Sequence, residues 1–275
     1  MYLRPRTVHE ACEALAVAPA TILSGGTDVF PALGDGPLPS RMLDLSRVGG
    51  LSDIAREHGR TRIGGRVTWT RLVKADLPPC FDGLKAAARE IGSIQIQNAA
   101  TLAGNLCNAS PAADGAPPLL ALDASVELTS LAGTRRLTLP EFLLGNRRTA
   151  RRPDEVLTAI LVPSTIERGR AAFLKLGARR YLVISIAMVA AIVEQENGRV
   201  GAARVAVGSC SAVARRLPAL EAALVGAEAS GLADLVRPEH LAPLSPIDDL
   251  RASAEYRMEA ALELVRRALD ACSRA

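Results

Sequence analysis

Apolar positions recur along this chain in short bursts, and the spacing within each burst predicts an element. Residues 7–16 carry the spacing of an amphipathic helix that starts near Thr7 and is stopped by Pro19, and an apolar strand follows at 21–23. One or two helical turns from Asp28 end in Gly34-Asp35-Gly36-Pro37, and 41–45 predicts a second strand, closing a small α/β unit of about 50 residues. A second, α+β unit begins at Leu51. Its first hairpin, 54–57 with 61–64, turns at His58-Gly59, where a solvated histidine is expected. Residues 68–75, 81–91 and 118–122 are helical by period, 125–130 and 134–139 pair around Ala132-Gly133, and 155–162 is a strand ended by Pro163.

The pattern resets at 164–172, which divides the chain into 1–165, with subdomains of about 1–50 and 51–165, and 166–275. Beyond the reset, 171–178, 183–193 and 204–209 predict three antiparallel strands, the last two joined through Glu196-Asn197-Gly198-Arg199. Residues 217–225 are helical. A final helix over 255–272 sets Met258, Leu262, Val265, Leu269 and Cys272 on one stripe for that sheet, with Arg257 and Arg266 off it. The uncharged run from Tyr181 to Val193 is 13 residues, which predicts a buried strand and not a bilayer span of roughly 20.

Two stretches fit neither period. T-L-A-G-N-L-C-N-A-S-P-A-A-D at 101–114 interleaves Thr101, Gly104, Asn105, Asn108, Ser110 and Asp114 with small apolar residues, and apolar runs on both sides place it inside a domain as a binding loop. L-S-G-G-T-D at 23–28 has similar chemistry after a strand. Glycines at 25, 26 and 104 let backbone amides approach a ligand, and successive turn amides form an anion-binding concavity that suits a diphosphate. Neither G-x-G-x-x-G after a strand nor G-x-x-x-x-G-K-[ST] is present, so a nucleotide would be held by another fold.

Composition narrows the chemistry. Trp69 is the single tryptophan among few aromatic residues, so the stacking platform of a single-strand nucleic-acid binder is missing. The net charge of +4 comes from thirty Arg and three Lys against 29 acidic residues, and the Arg pairs at 135–136, 147–148, 151–152, 179–180 and 215–216 read as dispersed, solvated or carboxylate-paired positions. Cys12, Cys80, Cys107, Cys210 and Cys272 form no C-x-x-C pair, so no zinc or iron–sulfur ligand set is expected. An odd cysteine count and no secretory leader point to a reducing cytoplasm, with no membrane insertion.

L-S-G-G-T-D-V-F-P-A-L (23–33) and T-L-A-G-N-L-C-N-A-S-P-A-A-D-G-A-P-P-L-L-A-L-D-A (101–124) resemble the two flavin-binding segments of the FAD subunit of molybdenum hydroxylases, the xanthine dehydrogenase and carbon monoxide dehydrogenase family. F-L-K-L-G-A-R-R (173–180) and S-P-I-D-D-L-R-A-S-A-E-Y-R (245–257) are similar to that family's C-terminal flavoprotein domain. The resemblance implies an α+β fold: a vanillyl-alcohol-oxidase-type (PCMH-type) FAD-binding domain of two subdomains, then a three-stranded antiparallel sheet with helices. It implies that Ser24, Gly25, Gly26, Thr27 and Asp28 contact the FAD diphosphate mainly through amides, with Thr101, Ala103, Gly104 and Asn105 closing from the second unit. The family usually has glycine where this chain has Ala103, a methyl that slightly crowds the loop. Ile91 matches a position packing on the isoalloxazine, or else ends a helix core. Asp114 matches an FAD contact, for which a ribityl or ribose hydroxyl is the sensible partner, or else caps a helix. Leu157 matches a backbone contact near the ring, or is ordinary strand core, and Lys175 matches a lysine near the flavin.

The function so implied is that of an FAD-carrying, electron-transfer medium subunit of a three-subunit molybdenum hydroxylase. Its partners would be a large molybdopterin subunit and a small two-iron two-sulfur subunit, as a dimer of heterotrimers, with electrons leaving to an external acceptor. Molybdopterin and iron–sulfur clusters belong on the partners, and no catalytic or metal residue is expected here. The scattered cysteines also argue against the cysteine-rich insertion of the 4-hydroxybenzoyl-CoA reductase flavin subunit. Two other readings stay open: a self-contained flavin oxidoreductase of the same fold, and a basic, non-enzymatic nucleotide-binding module in which the glycine loops are ordinary turns.

Overall fold

The computed structural model describes residues 1–274. Strand β1 (Tyr2–Leu3), helix α1 (Val8–Val17), strand β2 (Thr21–Leu23), helix α2 (Val29–Leu33) and strand β3 (Met42–Asp44) form the first unit. Helix α1 starts where the Thr7 hydroxyl accepts the Glu10 amide at 3.1 Å, and it buries Ala11, Cys12 and Leu15 against Leu43 and Leu45. The sheet order is β1-β3-β2 with both pairings parallel. Loop 24–28 therefore leaves the carboxyl end of a parallel strand, the edge at which open α/β sheets bind ligands.

The second unit runs through β4 (Ile54–Glu57), β5 (Arg60–Gly64), α3 (Trp69–Lys74), α4 (Asp82–Glu90), α5 (Ile94–Ala99), α6 (Leu102–Asn108), α7 (Ala116–Ala121), β6 (Ser125–Ser130), β7 (Gly133–Thr138), α8 (Leu139–Phe142), β8 (Leu143–Gly145), β9 (Arg148–Thr149) and β10 (Val156–Pro163). Its five-stranded sheet is antiparallel in the order β4-β5-β10-β6-β7. Strand β10, last in sequence, lies at the centre, which is why Val156 to Val162 are buried without alternation. The stretch expected to be a loop from 101 to 114 is helical over its first half, and α5 precedes it. Helices of six and seven residues are too short, and too polar, for a period to show.

Glu155 enters β10 buried, at 2 % exposure, and receives Arg135 through Nε at 2.6 Å and Nη2 at 2.9 Å. Burial would raise this carboxyl, but the Arg135 hydrogen bonds and the Arg152 amide hold it below the ordinary carboxylate range. A depressed folded pKa gives stability that is present above the unfolded value of about 4.3 and lost as pH falls through the folded one. Acid unfolding followed by circular dichroism is expected to lose part of its slope below about pH 4 in Glu155→Gln.

The C-terminal unit holds β11 (Arg170–Leu176), β12 (Ala187–Glu196), β13 (Arg199–Gly208), β14 (Arg215–Arg216), α9 (Pro218–Leu224) and α10 (Ala254–Arg274). The three expected antiparallel strands are present, and the two-residue β14 adds a fourth at the edge. Met188, Ala190 and Ile192 face the core of the second unit, whereas Ala187, Val189, Ala191 and Val193 face Val265, Ala268 and Leu269 of α10. Both faces of β12 are thus covered, and the sheet is cemented to the second unit by shared core. Two expectations need correction. The buried strand begins at Ala187, since Tyr181, Leu182 and Ile184 stand in an exposed loop, Tyr181 at 58 %. Arg257, placed off the apolar stripe of the last helix, is nevertheless buried.

Candidate functional site

Loop 24–28 runs directly against the segment between α5 and α6. A Cβ at Gly25 would lie 2.1 Å from the Ala99 carbonyl oxygen and 2.9 Å from the Ala100 Cα. Glycine is therefore required at 25 because two backbones touch there, not only to admit a ligand. Gly26 sits in the left-handed region at φ 73°, and turns the chain so that the Phe30 amide reaches its carbonyl at 3.1 Å. The amides of Ser24, Gly25, Gly26, Thr27 and Asp28 reach no acceptor among the described residues, five successive donors along one turn.

The two units and the C-terminal sheet line an open cleft of about 1060 Å³, just above the ~300–1,000 Å³ usual for ligand sites. Every residue expected at the site lines it. Ser24, Gly25, Gly26, Thr27 and Asp28 form one wall. Thr101, Ala103, Gly104 and Asn105, in the first turn of α6 and its cap, form the facing one. The detail on that wall differs from expectation. The Gly104 amide is occupied by the Thr101 hydroxyl at 3.0 Å, Leu102 donates to the Val67 carbonyl at 3.2 Å and Asn105 to the Thr101 carbonyl at 3.1 Å. The Thr101 and Ala103 amides are left without an acceptor among the described residues. Ser24 Oγ and Asn105 Oδ1 are buried polar atoms with no protein partner, one on each wall. Such atoms are costly unless something polar lies between the walls, and an elongated ligand carrying phosphates and hydroxyls meets that need.

Deeper in, Lys175 Nζ donates to Asp114 Oδ2 at 2.7 Å and Ser185 Oγ to Asp114 Oδ1 at 2.7 Å. The lysine side chain is only 7 % exposed. Strand parity explains its direction: Lys175 shares a face of β11 with Phe173, which packs into the core of the second unit. Burial pushes the Asp114 carboxyl above its ordinary range, and the charge and hydrogen bond of Lys175, with the Ser185 hydroxyl, pull against that shift without reversing it. Asp114 is not a helix cap, because α7 is capped by Gly115 with no side-chain bond. Ser185 was not legible in advance, as it falls inside an apolar run.

Ile91 closes α4 and lines the cleft half-buried. Leu157, also lining it, lies where the β10–β6 register slips between Leu157 and Ala159, a bulge that re-aims the backbone beside the cleft. Arg147, Arg148 and Arg151 line it as well, on and just after the β8–β9 hairpin, and Arg147 Nη1 donates to Asn108 Oδ1 at 2.6 Å. Three arginines expected to be dispersed surface residues therefore converge, and they bias the opening toward anions. Burial pushes the Cys107 thiol up to about 11, so it stays protonated and is a poor nucleophile for covalent attachment of a ligand. Among the described residues no three His, Cys, Asp or Glu side chains stand together as a metal-binding group, and no helix is long and apolar enough to cross a membrane.

Comparison with known proteins gives this geometry a family. The FAD binding domain in molybdopterin dehydrogenase matches residues 1–165, and the CO dehydrogenase flavoprotein C-terminal domain matches residues 172–272. The nicotine 6-hydroxylase medium subunit of Paenarthrobacter nicotinovorans is 30% identical over 273 residues, covering 98% of this chain and 95% of that one. The carbon monoxide dehydrogenase medium chain of Hydrogenophaga pseudoflava is 28% identical over 280 residues, covering 98% and 96%. A solved structure of reconstituted CO dehydrogenase from Oligotropha carboxidovorans superposes with a TM-score of 0.91 at 26% identity, over 100% of this chain and 98% of that one. That likeness makes the architecture a PCMH-type FAD-binding domain followed by an antiparallel sheet domain. With cleft, fold and both halves of the sequence in agreement, the chain belongs to the FAD-binding domain family of molybdopterin dehydrogenases, oxidoreductase subunits whose cofactor is FAD.

Proposed function

We propose that this chain is the FAD-carrying electron-transfer subunit of a three-subunit molybdenum hydroxylase, working beside a large molybdopterin subunit and a small two-iron two-sulfur subunit. The observation that carries the reading is the run of five unpaired amides from Ser24 to Asp28 lining the cleft, together with orphaned buried oxygens, Ser24 Oγ and Asn105 Oδ1, on residues of its two facing walls. The division of labour follows the residues. Ser24 to Asp28 and the Ala103 amide hold the diphosphate, with no carboxylate forced onto it except Asp28 at the end of the turn. Asp114 serves a ribityl hydroxyl, an acceptor's task for which its remaining lone pairs are available. Ile91 packs on the ring, the bulged backbone at Leu157 meets its polar edge, and Lys175 stands near it with its charge compensated by Asp114. FAD held there would supply two-electron acceptance with one-electron return, which suits a relay between an iron–sulfur cluster and an external acceptor. The division of the chain at about residue 165, into an FAD-binding part and a flavoprotein C-terminal part, belongs to the same reading, as do a cytoplasmic location and assembly as a dimer of heterotrimers.

Heat or acid is expected to release one FAD per chain, and the flavin-loaded chain alone is expected to oxidise no organic substrate until its partners are restored. Chromatography of the supernatant and a turnover assay with and without the partners decide this. Flavin retained on the precipitated protein, or FMN in the supernatant, sinks the cofactor assignment. Substrate oxidation by the isolated chain sinks the subunit assignment and favours the self-contained oxidoreductase.

A further inference from the structure

The hydroxyl that holds Asp114 belongs to Ser185, and the next residue leads outward to a buried arginine. Arg257 Nη1 donates to the Ile186 carbonyl at 2.5 Å and to the Ser209 carbonyl at 3.1 Å, and its Nη2 donates to Asp249 Oδ1 at 2.7 Å. Ser209 in turn donates its amide to the Pro111 carbonyl at 3.0 Å, on the segment that leads into Asp114. One guanidinium thus grips the chain next to Ser185 and also, through Ser209, the chain before Asp114. Asp249 is itself fixed, since it accepts the Arg251 amide at 2.8 Å, the Ala252 amide at 3.3 Å and the Arg251 side chain at 2.9 Å.

Anchoring α10 does not account for this arginine. Ala261, Val265, Ala268 and Leu269 already seat the helix on the sheet, and a side chain 4 % exposed with an unpartnered Nε is an expensive way to add to them. We propose that Arg257, oriented by Asp249, is a positioning residue of the cofactor site: it fixes the backbone on both sides of the Asp114–Lys175–Ser185 cluster and so sets that cluster's grip on the ribityl and ring end of FAD. The proposal rests on the reading of the cleft as an FAD site, with that cluster at the flavin end.

The test uses the full chain freed of flavin and titrated with FAD and, separately, with ADP, which shares the adenosine and diphosphate but has neither ribityl chain nor ring. Arg257→Lys keeps the charge and loses the fork. It is expected to weaken FAD by about tenfold, the equivalent of one charged hydrogen bond, and to leave ADP within about twofold. In a Ser185→Ala background the same substitution is expected to cost FAD binding less than it does in the wild type, because one of its two routes to the cluster is already cut. Equal losses for FAD and ADP, or an undiminished loss in the Ser185→Ala background, overturn the proposal and leave Arg257 a fold anchor. If Arg257→Lys does not fold, Asp249→Asn, on a half-buried loop, carries the same comparison with the same two expected outcomes. A wild-type chain that binds neither FAD nor ADP refutes the cofactor reading itself, a result separable from either outcome above.

Discussion

Gly25→Val is expected to be recovered with little or no FAD and with a markedly lower thermal midpoint. The added Cβ would meet the Ala99 carbonyl oxygen at 2.1 Å and the Ala100 Cα at 2.9 Å, both of them backbone. Side chains relieve overlap by changing rotamer, but here the relief must come from parting the two walls of the cleft. Ala100 cannot retreat alone, because its carbonyl accepts the Trp69 amide at 3.2 Å and its own amide is held by the Ile96 carbonyl at 2.7 Å. Overpacking of flexible cores costs about 1–3 kcal/mol, and a backbone clash lies at or above the upper end. Gly26→Ala is the control, since its cost is the left-handed backbone, roughly 1–2 kcal/mol, and its nearest neighbour is the movable Phe30 ring at 2.8 Å. The flavin-to-protein absorbance ratio and the melting curve of both variants check the result. Full flavin occupancy with an unchanged midpoint in Gly25→Val would show that the walls do not meet as described.

Lys175→Met is the second large effect, and it acts on stability before it acts on the flavin. Its ammonium lies 2.7 Å from Asp114, both groups are nearly enclosed, and burial already raises the Asp114 carboxyl. Removing one partner of a buried pair typically costs about 3–5 kcal/mol, whereas removing both is often nearly neutral. The double variant Asp114→Asn with Lys175→Met is therefore expected to recover most of the thermal midpoint lost by Lys175→Met. The pH dependence has a definite sign. A carboxyl whose folded pKa is raised favours the protonated fold, so its contribution is complete below the unfolded value of about 3.9 and is lost as pH rises through the folded one. Lys175→Met is expected to steepen that loss, making the variant relatively more stable in mild acid than at neutrality. A flat difference between wild type and variant from pH 4 to 8 would exclude a charged, buried Asp114. In the loaded protein the flavin potential is expected to shift less than a lone lysine would imply, because each variant changes a compensated pair.

How much of the site was readable depended on what kind of signal each residue left. Gly25-Gly26 and the Thr101-to-Asp114 stretch stood out because small and polar residues interrupt apolar periods. Lys175 stood out because an apolar strand carries one of only three lysines. The thirteen residues expected at the site, which add Ile91 and Leu157 and come from five separate stretches, line one cleft. Ser185 and Arg257 left no such mark. The serine sits in an apolar run, and the arginine occupies a helix position off the apolar stripe, where a charge is ordinary.

Local pattern by itself determined the strands at 21–23 and 42–44 and the Thr7-capped helix of the first unit, the hairpins turning at His58-Gly59 and Asn197-Gly198, and the apolar stripe of the last helix, because each is specified by neighbours a few residues apart. Only the tertiary structure decided that Gly25 is required by contact with Ala99, that Thr101 consumes the Gly104 amide and leaves Ala103 free, and that Asp114 pairs with Lys175 instead of capping a helix. It also gathered Arg147, Arg148 and Arg151 at the cleft. Apart from the local Thr101 cap, the physical reason is common to these. Whether a glycine, a donor or a charge is free depends on what stands opposite it, and here the opposing groups come from segments up to 75 residues away in the chain, a separation over which composition and period carry no information about contact.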